Sequence, residues 1–224
     1  GLDLEAAKKL EQDYDPEMHF RAVVQPAKLV VFLLLLAMAL YHLWTAGRGT
    51  PATQIHSATH LAFVLSICFL VYGGSRVAHA REAAHSSRRP GGVPLWDWLL
   101  SLTAIVAAAY YPWGFADLAF RIGNPNMADL ILGSIMIGLV LEATRRAMGP
   151  PLAIIVVLAI LYALFGNKLS GLFAHAGSTW PALVSHLYLT QEGLFGLPIV
   201  VMSTFVFHFV MFGVVATRIR SEER

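Results

Sequence analysis

What most constrains this chain is the length of its apolar runs. Six continuous apolar blocks stand out, near residues 27–45, 56–75, 95–112, 127–144, 150–166 and 198–216. Crossing the hydrocarbon core of a bilayer as a helix takes about 17–25 residues, and five blocks reach that length comfortably. The block at 150–166 lies at the short limit. The runs are unbroken rather than alternating, which excludes a spanning β-barrel. The residues are 57% hydrophobic and only 13% charged. Soluble domains carry about 25% charged residues, so neither an ordinary soluble enzyme nor a disordered chain fits. The reading is an all-α, polytopic helical membrane protein with about six transmembrane helices.

The basic residues sort by loop. With the N-terminus placed on the cytoplasmic side, only Arg48, Arg121 and Lys168 fall outside, leaving thirteen of the 16 Lys and Arg inside. The bias repeats at every loop, as the positive-inside rule requires, and omitting one span would break it. The first apolar block is too long for the core of a cleavable signal peptide and lacks a small-residue exit, so it is expected to remain as a span. Nucleic acid is not an expected partner, because the basic residues track the membrane edges. The one cysteine, Cys68, sits inside an apolar block and reads as a packing residue.

Local signals divide the chain into 1–25, 26–148 and 149–224. The first part is polar. Glu5 and Lys9 at i,i+4, and Asp15-Pro16-Glu17 as cap, first-turn proline and acid, predict two short helices there. The second part holds four spans, with a solvated linker at 76–94. Trp96 and Trp98, then Tyr110, Tyr111 and Trp113, mark the two interfaces of the third span. Ala104-x3-Ala108 and Ser134-x3-Gly138 predict close helix packing. Met148-Gly149-Pro150-Pro151 is a break, and the third part holds two more spans. Between those two, Trp180, Leu183, Val184, Leu187 and Tyr188 form a helical stripe. It predicts an amphipathic helix lying in the interface or packed on its neighbours. A polar tail is expected after residue 216.

Few residues suggest chemistry. Glu142, near the inner end of the fourth span, is predicted to pair with Arg145 or Arg146, one turn away. Asp97 and Asp129 occupy first turns, where an acid suits the helix N-terminus and is capped or hydrated. Among nine histidines, His42 and His60 fall at similar depth and would be the pair for a haem, while His56-x3-His60 could clip a metal. Hydrogen bonding at the outer interface is the simpler reading. No phosphate loop, nucleophile elbow or zinc-protease motif occurs, so nothing in the sequence supports an enzyme.

Specific segments go further. Leu141-Glu142-Ala143-Thr144-Arg145-Arg146, Gly149-Pro150 and Tyr162-Ala163-Leu164-Phe165-Gly166 resemble the fused membrane subunit of TRAP transporters of the TAXI type. So do Ser185-His186-Leu187-Tyr188-Leu189-Thr190, Glu192-Gly193-Leu194-Phe195-Gly196-Leu197-Pro198 and Ser203-Thr204-Phe205-Val206-Phe207. His42, His60 and Trp96-Asp97-Trp98-Leu99 also fit that family's four-helix leader. The resemblance implies a secondary transporter of small organic acids, delivered by a periplasmic binding protein and driven by an ion gradient, usually Na⁺. Residues 26–148 would be the small-subunit-like scaffold and 149–224 the start of the large-subunit-like region.

Fused chains of that family run on for about ten further spans, which hold the substrate and cation sites. The coupling ion is therefore expected to bind beyond this chain, and no cofactor is expected within it. Partners implied are the remaining large permease region, the binding protein and the bilayer, in a bacterial or archaeal cytoplasmic membrane. Glu142, Arg145, Arg146, Trp180, Leu183, Leu187 and Glu192 are the candidate structural or interface residues. A haem-binding electron-transfer subunit and a membrane anchor without transport are the competing readings.

Overall fold

A computed structural model describes residues 20–21, 23–74 and 90–222. The two short helices expected before residue 19, and most of the linker at 76–94, lie outside the described residues. The fold is all-α. Its long helices are α1 (Ala27–Arg48), α2 (Thr53–Val71), α3 (Leu95–Phe120), α4 (Met127–Met148) and α5 (Pro150–Phe165). A short helix, α6 (Trp180–Val184), runs into a π-helical turn at Ser185–Leu189. Then α7 (Leu197–Val201), a π-helical turn at Met202–Val206 and α8 (Phe207–Glu222) form one continuous rod. Among the described residues, six helical segments are long and apolar enough to cross a membrane, and they coincide with the six blocks. The only extended pairing described is an isolated bridge between Phe20 and Tyr72.

The helix ends follow from local chemistry, with two departures from expectation. The third span passes through Pro112 and ends only at Phe120, beyond the boundary near 112. The last helix likewise runs on past the boundary near 216, through the polar tail to Glu222. Asn126 starts α4 with a full capping box: its side chain accepts from the Asp129 N–H, and the Asp129 carboxylate accepts from the Asn126 N–H. Gly149, at φ +86°, makes the break between α4 and α5, a conformation that favours glycine, and Pro150 opens α5 where its missing N–H costs nothing.

The core lies among α2, α3 and α4. Ala104, Ala107 and Ala108 are fully buried beside Ala58, Leu61 and Leu65, so the predicted alanine seam of α3 is the one that packs. In lipid, close van der Waals approach of small residues replaces the hydrophobic drive available in water. The seam predicted on α4 is displaced. Gly138 has no neighbour within 4 Å of where a side chain would begin, whereas at Gly133 that position lies 2.5 Å from a Val184 methyl carbon. Gly133, five residues before Gly138, is the small residue that a partner needs.

That partner is the segment 180–195. Its stripe packs on the neighbouring helices, the second of the two expected arrangements. Val184, Tyr188, Leu189 and Phe195 are buried in the same core as α2, α3 and α4, while Leu183 and Leu187 are partly covered. The packing boundary therefore does not follow the break at Gly149: part of the later region completes the core of the four-helix unit. The rings of Tyr111 and Tyr188 meet edge to face at 5.9 Å, and Tyr111 and Phe195 lie 4.8 Å apart. Tyr188 donates to the Ala107 carbonyl at 2.7 Å and Tyr111 to the Leu189 carbonyl at 2.9 Å. Burial pushes the Tyr188 phenol up, so it remains a donor at ordinary pH. Tyr188→Phe is expected to lower stability by about 0.5–1.5 kcal/mol, since it removes one buried hydrogen bond, measured by thermal unfolding in detergent.

The spans differ greatly in how much protein surrounds them. In α2, 56% of the apolar window is buried, against 6% in the span formed by α7 and α8. α5 is likewise bare, with Ile154, Ile155 and Leu158 exposed along it. These are the surfaces that a bilayer would cover.

Candidate functional site

Two polar clusters stand out, one at each end of the first helical hairpin. The first is an arginine–carboxylate clasp. Asp97, in the first turn of α3, is 4% exposed, and each of its oxygens accepts from a different arginine. Arg21 Nη2 donates to Oδ2 at 2.6 Å and Arg146 Nη1 to Oδ1 at 2.8 Å. Arg146 continues through Nε to Glu142 Oε1 at 2.7 Å. Arg145 grips Glu142 through Nε and Nη2, both at 2.8 Å, and also donates to the Gly74 carbonyl at 3.0 Å. The Arg146 guanidinium lies 5.2 Å from the centre of the Phe69 ring. The approach to α1, the end of α2, the start of α3 and the end of α4 are thereby fastened together.

Glu142, predicted to pair with Arg145 or Arg146, pairs with both. Asp97 differs from expectation. It is neither a hydrated end nor a cap but the buried bridge between two cations, because its partners come from other helices. No spacing along α3 could reveal this. Among the described residues, three arginines meet two carboxylates here, and Arg21 Nη1 is buried without a hydrogen-bond partner. Asp129 caps α4 as expected and is also fully buried, accepting from Arg121 Nε at 2.9 Å, Arg121 Nη2 at 3.0 Å and Tyr110 Oη at 2.8 Å.

The second cluster lies at the opposite end of the hairpin and is made of histidines. Those singled out in the sequence, His42, His56 and His60, come together with His208. Ring centroids of His42 lie 5.4 Å from His56, 5.0 Å from His60 and 5.9 Å from His208. A carbonyl only accepts, which fixes the ring protons. His42 donates through Nδ1 to the Met38 carbonyl at 2.8 Å, so its Nε2 accepts from His60 Nδ1 at 3.0 Å. His56 donates through Nε2 to the Ser203 carbonyl at 3.4 Å, so its Nδ1 accepts from the Tyr41 hydroxyl at 3.0 Å. His42 and His60 are thus each other's partners, with Phe207 4.2 Å from His42 and 6.0 Å from His60. Among the described residues, no group of three or more His, Cys, Asp or Glu is arranged to hold a metal ion.

The remaining predicted residues take lesser places. Trp180 is partly exposed and donates through its indole N–H to Ser134 Oγ at 2.9 Å. Leu183 and Leu187 flank the buried side of the inserted segment. Glu192 is exposed, and its backbone N–H donates to Thr190 Oγ1 at 3.1 Å. His208 was visible in the sequence only as a lone histidine in an apolar span, and nothing there showed that it would meet the first hairpin.

Fold and clusters together define a polytopic helical protein of membrane type, whose polar side chains bind helices to one another at the ends of the hairpin. No family model, no curated protein and no solved structure matches the chain.

Proposed function

We propose that this chain is the scaffold portion of a TRAP-type secondary transporter for small carboxylates. The reading rests on the resemblance carried by residues 141–207 and on one structural observation. The ionised side chains described near the core are spent on ties between helices. Asp97, Glu142, Arg145 and Arg146 meet at one end, and Asp129 and Arg121 at the ends of α4 and α3. A conduction or substrate path needs ionisable groups facing a cavity near mid-membrane. The charges here are placed instead to hold a bundle rigid.

In this role the inner, Arg-rich ends face the cytoplasm of a bacterial or archaeal cell. The bare faces of α5 and the last span meet lipid or the transporting region of the permease. Segment 178–190 lies on the side where a periplasmic binding protein would dock. The coupling ion, Na⁺ in this reading, binds the transporting region.

The test is affinity purification of the tagged chain from its native membrane, followed by reconstitution. A large permease subunit, or one as a continuation of the same polypeptide, should co-purify. Ion-driven uptake of an organic acid should require both the chain and a periplasmic binding protein. A chain that purifies with an unrelated enzyme and leaves uptake untouched on deletion would be an anchor instead. A haem absorbance spectrum in the purified protein would favour the electron-transfer reading.

A further inference from the structure

The segment that leaves α5 carries apolar side chains that the core does not use. Leu172 is entirely exposed, and Leu169 and Phe173 are exposed beside it in the chain. A cluster of this kind marks a surface that meets something other than water.

The segment folds back along the helix it has just left. Tyr162, in the last turn of α5, donates through Oη to the Phe173 carbonyl at 3.2 Å. His175 donates through Nε2 to the Tyr162 carbonyl at 2.9 Å and through its backbone N–H to the Gly166 carbonyl at 3.2 Å. Its Nδ1 accepts from the Gly177 N–H at 3.0 Å. The imidazole meets the Tyr162 ring edge to face at 4.7 Å and fills the space where a side chain at Gly166 would begin. Residues 173–175 are therefore level with the last turn of α5.

Helix length sets that level. α5 has 16 residues, a rise of about 24 Å, against about 30 Å of hydrocarbon in a bilayer. Starting from the break at Gly149, it brings Tyr162 and Phe165 no farther than the opposite boundary between acyl chains and headgroups. The folded-back residues lie at that boundary with them. α5 is bare there, with Leu161, Tyr162 and Phe165 exposed, so the apolar surface of the segment continues that of a span. The backbone is paired to suit. The Leu169, Ala174, His175 and Gly177 N–H groups all donate within the segment. Unpaired backbone groups are costly wherever water is scarce. The Lys168 ammonium lies 5.1 Å from the centre of the Phe165 ring, at the polar edge of the cluster. A lysine there extends its charge to the headgroups while its stem stays on apolar surface.

We propose that residues 166–177 are a lipid anchor. Leu169, Leu172 and Phe173 enter the acyl region of the nearer leaflet, and Lys168 meets the phosphate groups above them. The backbone stays at the headgroup level and only side chains go deeper. The occupant is phospholipid because the cluster is tied to the end of a span and held at its depth. The anchor fixes the position of a helix otherwise short for the bilayer. It is independent of whether the chain serves a transporter.

The experiment places a nitroxide label at Leu172→Cys in the full chain, with Cys68→Ala as background, in nanodiscs of phosphatidylcholine and phosphatidylglycerol. Relaxation by oxygen, which concentrates among acyl chains, is compared with relaxation by a water-soluble nickel chelate. Leu172 is wholly exposed, so the label disturbs no packing. Leu158→Cys, exposed midway along α5, gives the lipid reference. The label at 172 should lie about 5–10 Å below the phosphate level, with oxygen the stronger relaxer as at 158. Adding Gly166→Ala, which drives the His175 ring from its place, should raise the label to the phosphate level or above it. Stronger relaxation by the chelate without that change would overturn the proposal. A label that neither reagent reaches would do so too, since protein and not lipid would then cover it. An unchanged depth in Gly166→Ala would mean that the fold-back does not place the anchor.

Discussion

Asp97→Asn is expected to destabilise the protein by about 3–5 kcal/mol, the cost of leaving buried cations without their counter-charge. The clasp then holds three arginines against Glu142 alone, and both Arg21 and Arg146 are almost entirely enclosed, at 12% and 4% side-chain exposure. Arg146→Met makes the opposite comparison. It removes one of the three cations and leaves two matched pairs, Arg21 with Asp97 and Arg145 with Glu142. The methionine also keeps much of the apolar stem that packs beside Phe69. This variant should therefore be clearly milder than Asp97→Asn, although it removes two ion-pair contacts as well. Thermal unfolding in detergent with a tryptophan or circular-dichroism readout ranks the two. If Arg146→Met were the worse variant, Asp97 would not be the hub of the clasp.

Gly133→Val should push segment 180–189 off the face of α4. A side chain beginning at Gly133 meets Val184 at 2.5 Å and Tyr188 at 3.1 Å, and neither can retreat because both are fully buried. Overpacking of this kind costs about 1–3 kcal/mol. The Tyr188 and Tyr111 hydrogen bonds would open with it, so protease cleavage within 178–196 should increase together with the loss of stability. Gly138→Ala on the same helix is the contrast. It meets nothing, and removing a helical glycine should leave stability unchanged or raise it by up to about 1 kcal/mol. Equal behaviour of the two variants would mean that the inserted segment does not rest on Gly133.

These two sites show where the sequence was legible. Helix count, spans and the break at Gly149 follow from hydrophobic run length and backbone chemistry, which are local. The Glu142 pairings were readable because i+3 and i+4 are fixed by helix geometry. Asp97 was not, because its arginines lie 76 and 49 residues away and its own helix offers no partner. The small residue on α4 was misplaced for a related reason. A small-x3-small pattern marks any close approach, and only the partner's shape decides which glycine receives it. His208 needed tertiary contacts before its place beside the first hairpin came into view.

The shared core also bears on how such a protein is made. Helices α2, α3 and α4 leave the ribosome complete, yet Tyr188 and Phe195, which fill the space beside Gly133 and Tyr111, are still some forty residues or more behind the end of α4. Until a later stretch of chain has been translated and has folded back past α5, the first bundle carries an open notch in its side. Closure of this core therefore waits on synthesis of the segment after the fifth span.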